Sequence, residues 1–428
     1  MTGAEEGGRL VAPTTAEEAR QIVQEAADRR EAIYPVGGGL ALDELLPKPR
    51  PGIDLSLAGL DRIVEFSPRD LTITVDAGTS LAKLAETVDE AGLLFPFASK
   101  FDRQSNIGEE IDRRSTIGGL LATAWNGPRR TGWGNLRDYF IGVRAIDGRG
   151  VLFKSGGKVV KNVAGYDFCK LLVGSRGTLG VITEVTLRLK PKPEARWLAT
   201  IHPAEGQSLA KLVEQTNQPA IPYSVYEVAV AEALPFPEQL ELDDAFVRCG
   251  WEGPREEIDV AKAEIDALVR AGRFRLEESD ETTKGFESVH LLGRDAPTAA
   301  LYLRIQAPPT TLLQALSSAS LAGFSPEGGL LIFAPRSGHA RLFVPPIEDR
   351  EAASKALAAL REEIGGEGYV TVLRDRLGIA PTRELRFGRT TSPQFLMDRV
   401  KAAMDPCGIL NPGRYVFADA MGDSADVA

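Results

Sequence analysis

The stretch Ser115-Thr116-Ile117-Gly118-Gly119, taken with residues 157–190 (GKVVKNVAGYDFCKLLVGSRGTLGVITEVTLRLK), decides how this chain is read. Glycines crowd both segments. A glycine lets an anion approach backbone N–H groups that an Ala or Leu side chain would screen. Thr116 is placed to cap a helix over 118–124, whose positive end would then face 115–119 and suit a pyrophosphate. Lys154, Lys158, Lys161 and Lys170 lie close by in a chain of net charge −10. Together these features predict the floor of a dinucleotide site.

A second glycine run, Gly37-Gly38-Gly39, follows a short apolar strand over 32–36. Such a turn aims successive N–H groups at an anion or simply reverses the chain, and the motif alone allows both. It is not a Rossmann unit. That motif opens a helix at its glycines, and prolines at 47, 49 and 51 oppose one here.

Working outward, Thr15-x-x-Glu18 forms a capping box for a helix that runs to about Arg30. Residues 1–13 are small and polar and are expected to fray. Strands are expected over 53–57, 62–67 and 71–77. In the last, Leu71, Ile73 and Val75 alternate with Thr72, Thr74 and Asp76, which predicts a half-buried strand. Thr79 or Ser80 caps a helix whose apolar face is Leu81, Leu84, Ala85 and Val88, with Gly92 at its end. Residues 98–114 read as an exposed polar loop. Asn126-Gly127-Pro128-Arg129-Arg130 is a turn bearing two cations. A hairpin over 140–154, a turn at 162–165, a short helix over 167–173 and a strand over 181–190 follow.

Pro191 and Pro193 mark a boundary. Beyond it, strands are predicted over 197–202, 223–230, 245–251, 299–306, 329–335, 340–344 and 368–373. Helices are predicted over 204–214, 255–269, 310–319 and 348–364. This order is an approximate doubling of a ferredoxin-like unit. A last helix over 395–404, with Phe395, Leu396, Val400 and Ala403 inward, leads into Asp405-Pro406-Cys407-Gly408-Ile409-Leu410-Asn411-Pro412-Gly413-Arg414-Tyr415. That segment is too short for a domain and is expected to pack back on an earlier one.

Composition narrows the function. At roughly 150 residues per domain, 428 residues make two or three domains. The acidic balance opposes nucleic-acid binding. Three separated cysteines (Cys169, Cys249, Cys407) exclude a disulfide framework or a thiolate-held cluster. His202, His290 and His339 share no helical turn, so no metal site is expected. No apolar run reaches the roughly 20 residues of a membrane span, and the polar N-terminus lacks the pattern of a signal peptide. A soluble, cytoplasmic protein is expected.

The segments STIGG, KNVAGYD, GSRGTLGVIT and DPCGILNPGRY together resemble FAD-binding proteins of the vanillyl-alcohol oxidase and p-cresol methylhydroxylase (PCMH) type, over 15–193 and 395–416. With KVVKNVAGYD and the upstream GPRR, the chain is most similar to the smaller FAD-binding subunits of glycolate oxidase within that group. The resemblance implies an α+β fold: a two-subdomain PCMH-type FAD domain over 10–193 (about 10–97 and 115–193) and a ferredoxin-like α+β cap over 194–394. Segment 395–416 would return to the FAD domain, and 417–428 would be a disordered tail.

It further implies that Pro35, Val36, Gly37, Gly38, Gly39 and Leu40, with Ser115, Thr116, Ile117, Gly118 and Gly119, hold the pyrophosphate of FAD. Gly174, Gly177 and Gly180 approach it, Val181 and Ile182 line adenine and ribose, and Asn411 lies near the flavin. Leu40 occupies the place of the histidine that many relatives link to FAD, so the cofactor is expected to be non-covalent. The histidine-rich metal motif of related 2-hydroxy-acid dehydrogenases is missing from the cap. Tyr166, Asp167, Arg386 and Arg414 are the candidate polar groups at the flavin, an arginine fork being suited to a carboxylate.

Three functions remain open. One is a flavin subunit of a glycolate (2-hydroxy acid) oxidising complex that works with a homologous larger FAD subunit and an iron–sulfur subunit, reaching the inner membrane only through those partners. Another is a self-sufficient hydroxy-acid or alcohol dehydrogenase. The third is a flavin-bearing scaffold that does not turn over substrate.

Overall fold

A computed structural model describes residues 8–41, 48–97, 113–157, 166–204, 209–217, 219–231, 245–279, 299–316, 324, 329–388 and 394–414. The expected turn at 162–165, Lys158, Lys161, residues 98–112 and the tail over 417–428 lie outside these residues.

The chain begins with β1 (Arg9–Val11), α1 (Ala16–Arg29), β2 (Ala32–Val36) and β3 (Gly52–Ser56), which form a parallel sheet in the order β1-β3-β2. Thr15 caps α1 by accepting from Glu18 N, and Ala19, Val23 and Ala26 are its buried face. The N-terminal residues expected to fray include β1, which pairs with β3 through Arg9–Ile53, Leu10–Asp54 and Val11–Leu55. Backbone pairing orders this segment where its polar side chains gave no signal.

Next come β4 (Ile63–Ser67), β5 (Thr72–Asp76), α2 (Leu81–Asp89), β6 (Leu93–Leu94), α3 (Ile117–Thr123), α4 (Arg130–Trp133), β7 (Phe140–Ile146), β8 (Leu152–Gly156), α5 (Phe168–Leu172), β9 (Val181–Arg188) and β10 (Lys190–Pro191). They build an antiparallel sheet ordered β4-β5-β9-β7-β8, with β6 and β10 paired beside it. The half-buried reading of β5 is corrected, since all five of its residues are buried. Part of its polar face is paired internally: Thr74 Oγ1 meets Thr186 Oγ1 at 3.0 Å and Asp76 accepts from Arg62 Nε at 2.8 Å. Alternation marked two faces, and the fold buries both.

The remaining elements are β11 (Ala195–His202), α6 (Leu209–Thr216), β12 (Val225–Ala231), β13 (Ala245–Gly253), α7 (Arg255–Gly272), β14 (Arg275–Ser279), β15 (Leu301–Gln306), α8 (Pro309–Leu316), β16 (Leu330–Ala334), β17 (His339–Val344), α9 (Arg350–Ile364), β18 (Tyr369–Asp375), α10 (Arg383–Phe387) and α11 (Gln394–Met404). Two βαββαβ units share one eight-stranded antiparallel sheet, ordered β14-β11-β13-β12-β16-β17-β15-β18. The second half repeats the first in mirror order and joins it where β12 pairs with β16. Sequence periodicity missed β14 because Arg275, Glu277 and Glu278 break the apolar pattern; as an edge strand it tolerates them.

The two-cation turn joins the five-stranded sheet to the eight-stranded sheet. Arg129 and Glu252 are buried together, with Arg129 Nε 3.0 Å from Glu252 Oε2. Trp133 Nε1 donates to the same carboxylate at 2.7 Å, and Arg196 Nε lies 3.0 Å from its other oxygen. Burial pushes the Glu252 carboxyl up, but the guanidiniums of Arg129 and Arg196 and the Trp133 indole outweigh it and hold the group below its ordinary range. Gly132 lets α4 approach the cap, since a Cβ there would lie 2.6 Å from Ser224 Cα.

The C-terminal segment also returns to the FAD side. Ile33 N donates to Ile409 O and Asn411 N donates to Ile33 O, both at 2.7 Å, which extends the parallel sheet beyond β2. α11 turns differently from the expected face: Phe395, Leu396 and Ala403 are exposed, while Met397, Val400 and Met404 pack inward. Lys401 is buried with them. Its Nζ donates to Asp405 Oδ2 at 2.7 Å, Thr178 O at 2.9 Å and Leu410 O at 3.1 Å. Asp405 in turn accepts from Ile409 N at 3.1 Å and Leu410 N at 2.8 Å. A hydrophobicity pattern cannot foresee a buried lysine, which is tolerated here because every proton of its ammonium has an acceptor.

Lys401→Met should leave the Asp405 carboxylate uncompensated and lower stability by about 3–5 kcal/mol. Denaturant unfolding, with amide exchange at Ile409–Asn411 rising first, checks this.

Candidate functional site

The two glycine runs meet. Leu81 N donates to Ser115 O at 2.8 Å, Ile117 N to Thr79 O at 2.9 Å and Gly118 N to Ala77 O at 2.7 Å, which fastens 115–118 to the end of β5. Thr116 caps α3 through Gly119 N at 3.2 Å. A Cβ on Gly37 would strike Thr116 Oγ1, and one on Gly38 would strike the Arg114 carbonyl. These glycines therefore serve first to let one loop lie against the other.

Between the loops runs a cleft of about 940 Å³, its open mouth included. Pro35, Val36, Gly37, Gly38, Gly39 and Leu40 form one wall, and Ser115, Thr116, Gly118 and Gly119 the opposite one. Gly177, Gly180, Ile182 and Asn411 complete it with apolar Leu57, Ala77 and Leu120. Ile117, Gly174 and Val181 do not line it. Ile117 and Val181 point into the hydrophobic cores, and Gly174 (φ +81°) ends α5 and donates to Leu121 O.

The donors available to an anion differ from those expected. The N–H groups of Ile117, Gly118 and Gly119 are already spent on protein acceptors. Among the described residues, those of Gly38 and Gly39 take no protein acceptor. The cleft's cations are Arg114 and Arg176, whereas Lys154 and Lys170 lie outside it and Lys170 pairs with Asp167 at 3.1 Å. An amide turn, two guanidiniums and long apolar walls fit a dinucleotide that carries a pyrophosphate and a flat ring system.

The expected catalytic residues disperse. Tyr166 is 89% exposed and Asp167 caps α5. Arg386 is buried and donates to Leu373 O at 3.1 Å. Arg414 is buried with its guanidinium 5.2 Å from the Tyr34 ring centroid, and it donates to Asn411 Oδ1 at 2.9 Å. Asn411 has φ +48° and donates to Arg176 O at 2.5 Å. Arg414 thus braces the cleft wall from behind.

A second pocket of about 890 Å³ opens beside the first, and Ala41 and Thr123 line both. Arg130 and its turn supply one wall and the strands β12, β15, β16 and β17 the other, with Glu227, Tyr302, Arg304, Gln306, His339 and Arg341. His339 Nδ1 faces Ser337 O at 2.5 Å, so Nδ1 carries the proton. Its Nε2 faces Arg130 Nη1 and lies 2.8 Å from Gln306 Nε2, both donors, so it accepts. Burial and then the Arg130 charge lower the His339 pKa to about 4, leaving the ring neutral at pH 7. Sequence spacing put no histidine near the glycine loops; packing of β17 against the α4 turn, across about 200 residues, did so. The clue available was the doublet Arg129-Arg130, which the fold splits into a structural and a pocket-facing cation.

Comparison with known proteins agrees with this geometry. Residues 8–156 match the family model of an FAD binding domain. Glycolate oxidase subunit GlcD of Bacillus subtilis is 26% identical over 96% of this chain and 89% of its own length. Glycolate oxidase subunit GlcE of Escherichia coli is 35% identical over 41% of this chain and 47% of its own. Crystalline p-cresol methylhydroxylase superposes with a TM-score of 0.69 at 14% identity, over 96% of this chain and 88% of that one. The fold is thus the α+β fold of the PCMH-type flavoproteins. The cofactor of this chain is FAD.

Gly38→Val should force the two loops apart and weaken FAD binding by about 1–3 kcal/mol, roughly ten- to hundred-fold in Kd. Titration of the apoprotein with FAD, followed by flavin fluorescence, measures it.

Proposed function

We propose that the chain is an FAD-dependent dehydrogenase of small 2-hydroxy acids, working as a flavin subunit that hands electrons to a partner. The observation that carries this reading is the arginine-lined second pocket that opens into the cofactor cleft. The similarity to glycolate oxidase subunits supports the substrate class, because glycolate is itself a 2-hydroxy acid. FAD, when bound, supplies the two-electron acceptor for the substrate's carbinol hydrogen.

The residues divide the remaining work. Gly38, Gly39, Arg114 and Arg176 hold the pyrophosphate, and Asn411, braced by Arg414, shapes the wall beside it. Arg130 receives the substrate carboxylate. A carboxylate arriving there competes with His339 for the guanidinium, and once Gln306 Nε2 also turns away His339 Nε2 takes the hydroxyl proton.

Among the described residues no cysteine or histidine lines the cofactor cleft, and the flavin is held without a covalent bond through those side chains. Acid precipitation of the holoprotein releases all of it to the supernatant. Electrons leave through a homologous FAD subunit and an iron–sulfur subunit, because three cysteines cannot supply the four thiolates of a cluster. Among the described residues no helix is long and apolar enough to cross a membrane.

The test is anaerobic flavin reduction by hydroxy acids followed by stopped flow. His339→Asn should slow reduction by about 100-fold or more. In the parent protein kcat/KM should be level near neutrality and fall as pH drops through about 4, because His339 is the competent base only when neutral. Reduction at an undiminished rate by His339→Asn would remove the histidine from the mechanism, and protein inert to every hydroxy acid would remove the function.

A further inference from the structure

Charge balance in the second pocket separates its three arginines. Arg341 lies 3.6 Å from the buried carboxylate of Glu227, so its charge has an internal partner. Among the described residues Arg130 meets the neutral His339 ring and forms no ion pair with a carboxylate. Arg304, on β15, sits directly opposite Arg341 on β17 in the strand register. Its Nε is sealed from solvent and, among the described residues, has no hydrogen-bond partner. Like charges placed opposite one another across a strand pair are destabilising. Sealing that nitrogen from water without a partner adds a desolvation cost. Among the described residues two cationic charges here therefore form no ion pair with a carboxylate, Arg130 from the α4 side and Arg304 from β15.

The cofactor does not answer them. Its cleft has cations of its own in Arg114 and Arg176. A monocarboxylate would neutralise one of the two. We infer that the substrate is a 2-hydroxy acid bearing a second carboxylate, with Arg130 holding the carboxylate next to the carbinol and Arg304 the distal one. Glycolate and lactate would then be poor surrogates. Gln306 and Tyr302, beside Arg304 on the same strand, offer neutral hydrogen-bonding groups to the distal carboxylate, which a desolvated anion needs besides charge.

This inference rests on the second pocket being the substrate site, and the experiment separates it from the oxidation reading. Non-reacting acids are titrated into the FAD-loaded full-length protein, with perturbation of the flavin spectrum and the melting temperature as readouts. Malonate, succinate and glutarate are compared with acetate and propionate. The best diacid should bind at least about ten-fold more tightly than the monoacids. Arg304→Gln should bring that ratio close to one, and Arg304→Lys should restore part of it. Equal binding of mono- and diacids, or a ratio untouched by Arg304→Gln in a folded, FAD-loaded variant, would overturn the inference.

In parallel, malate and 2-hydroxyglutarate are compared with glycolate and lactate in anaerobic flavin reduction. A diacid with the higher kcat/KM supports the inference. Glycolate or lactate matching it overturns the inference and leaves the oxidation reading standing. Tight diacid binding with no reduction by any hydroxy acid upholds the pocket's charge preference and overturns the oxidation reading.

Discussion

Everything at the site depends on the buried contact between Arg129 and Glu252. It joins a turn of the FAD-side lobe to a strand of the cap sheet, with Arg196 and Trp133 completing the shell of the carboxylate. A buried ion pair is a poor source of net stability, because two desolvation penalties stand against one attraction. It is a good source of geometry: one guanidinium fork fits one carboxylate in one orientation. Since Arg130 is the next residue, the orientation imposed on Arg129 also decides where the pocket-facing cation lies. The close approach allowed at Gly132 works in the same direction.

The same logic of polar groups placed where they must be answered recurs at the other end of the cleft. Lys401 and Asp405 together satisfy four backbone groups across α11, the 178 turn and the C-terminal segment. That staple holds 409–411 against β2 and so delivers Asn411 to the cleft wall. The wall thus contains residues from positions 35–41, 114–123, 176–182 and 411. It is an assembly of loops anchored by rigid elements, which is how a mobile class of structure acquires a fixed geometry. The second pocket is built differently, mostly on paired strands, where register decides which side chains face it.

Local chemistry was readable from the chain alone. Thr15, Ser80 and Thr116 cap the helices that follow them, and the apolar face of α2 is the one its spacing implies. The doubled βαββαβ order was legible because each strand and helix carries its own period. β14 was not, since an edge strand needs only one apolar side. The face of α11 was misread because its buried polar residue, Lys401, is stabilised by acceptors remote in sequence, which hydrophobic periodicity cannot register.

The sequence by itself determined the glycine loops and a dinucleotide site, since these follow from spacing, capping and backbone freedom within short segments, while its motifs carried the resemblance that implied the fold class and FAD. Tertiary structure alone decided how the parts are used. It showed that Gly37 and Gly38 serve loop contact, that the donors of Ile117 and Gly118 are already spent, and that Arg386 and Arg414 brace the protein. It brought His339 and Arg304 to face Arg130. The reason is physical: an electrostatic or hydrogen-bonding role depends on distance and burial, and between residues about 200 positions apart both are set by packing.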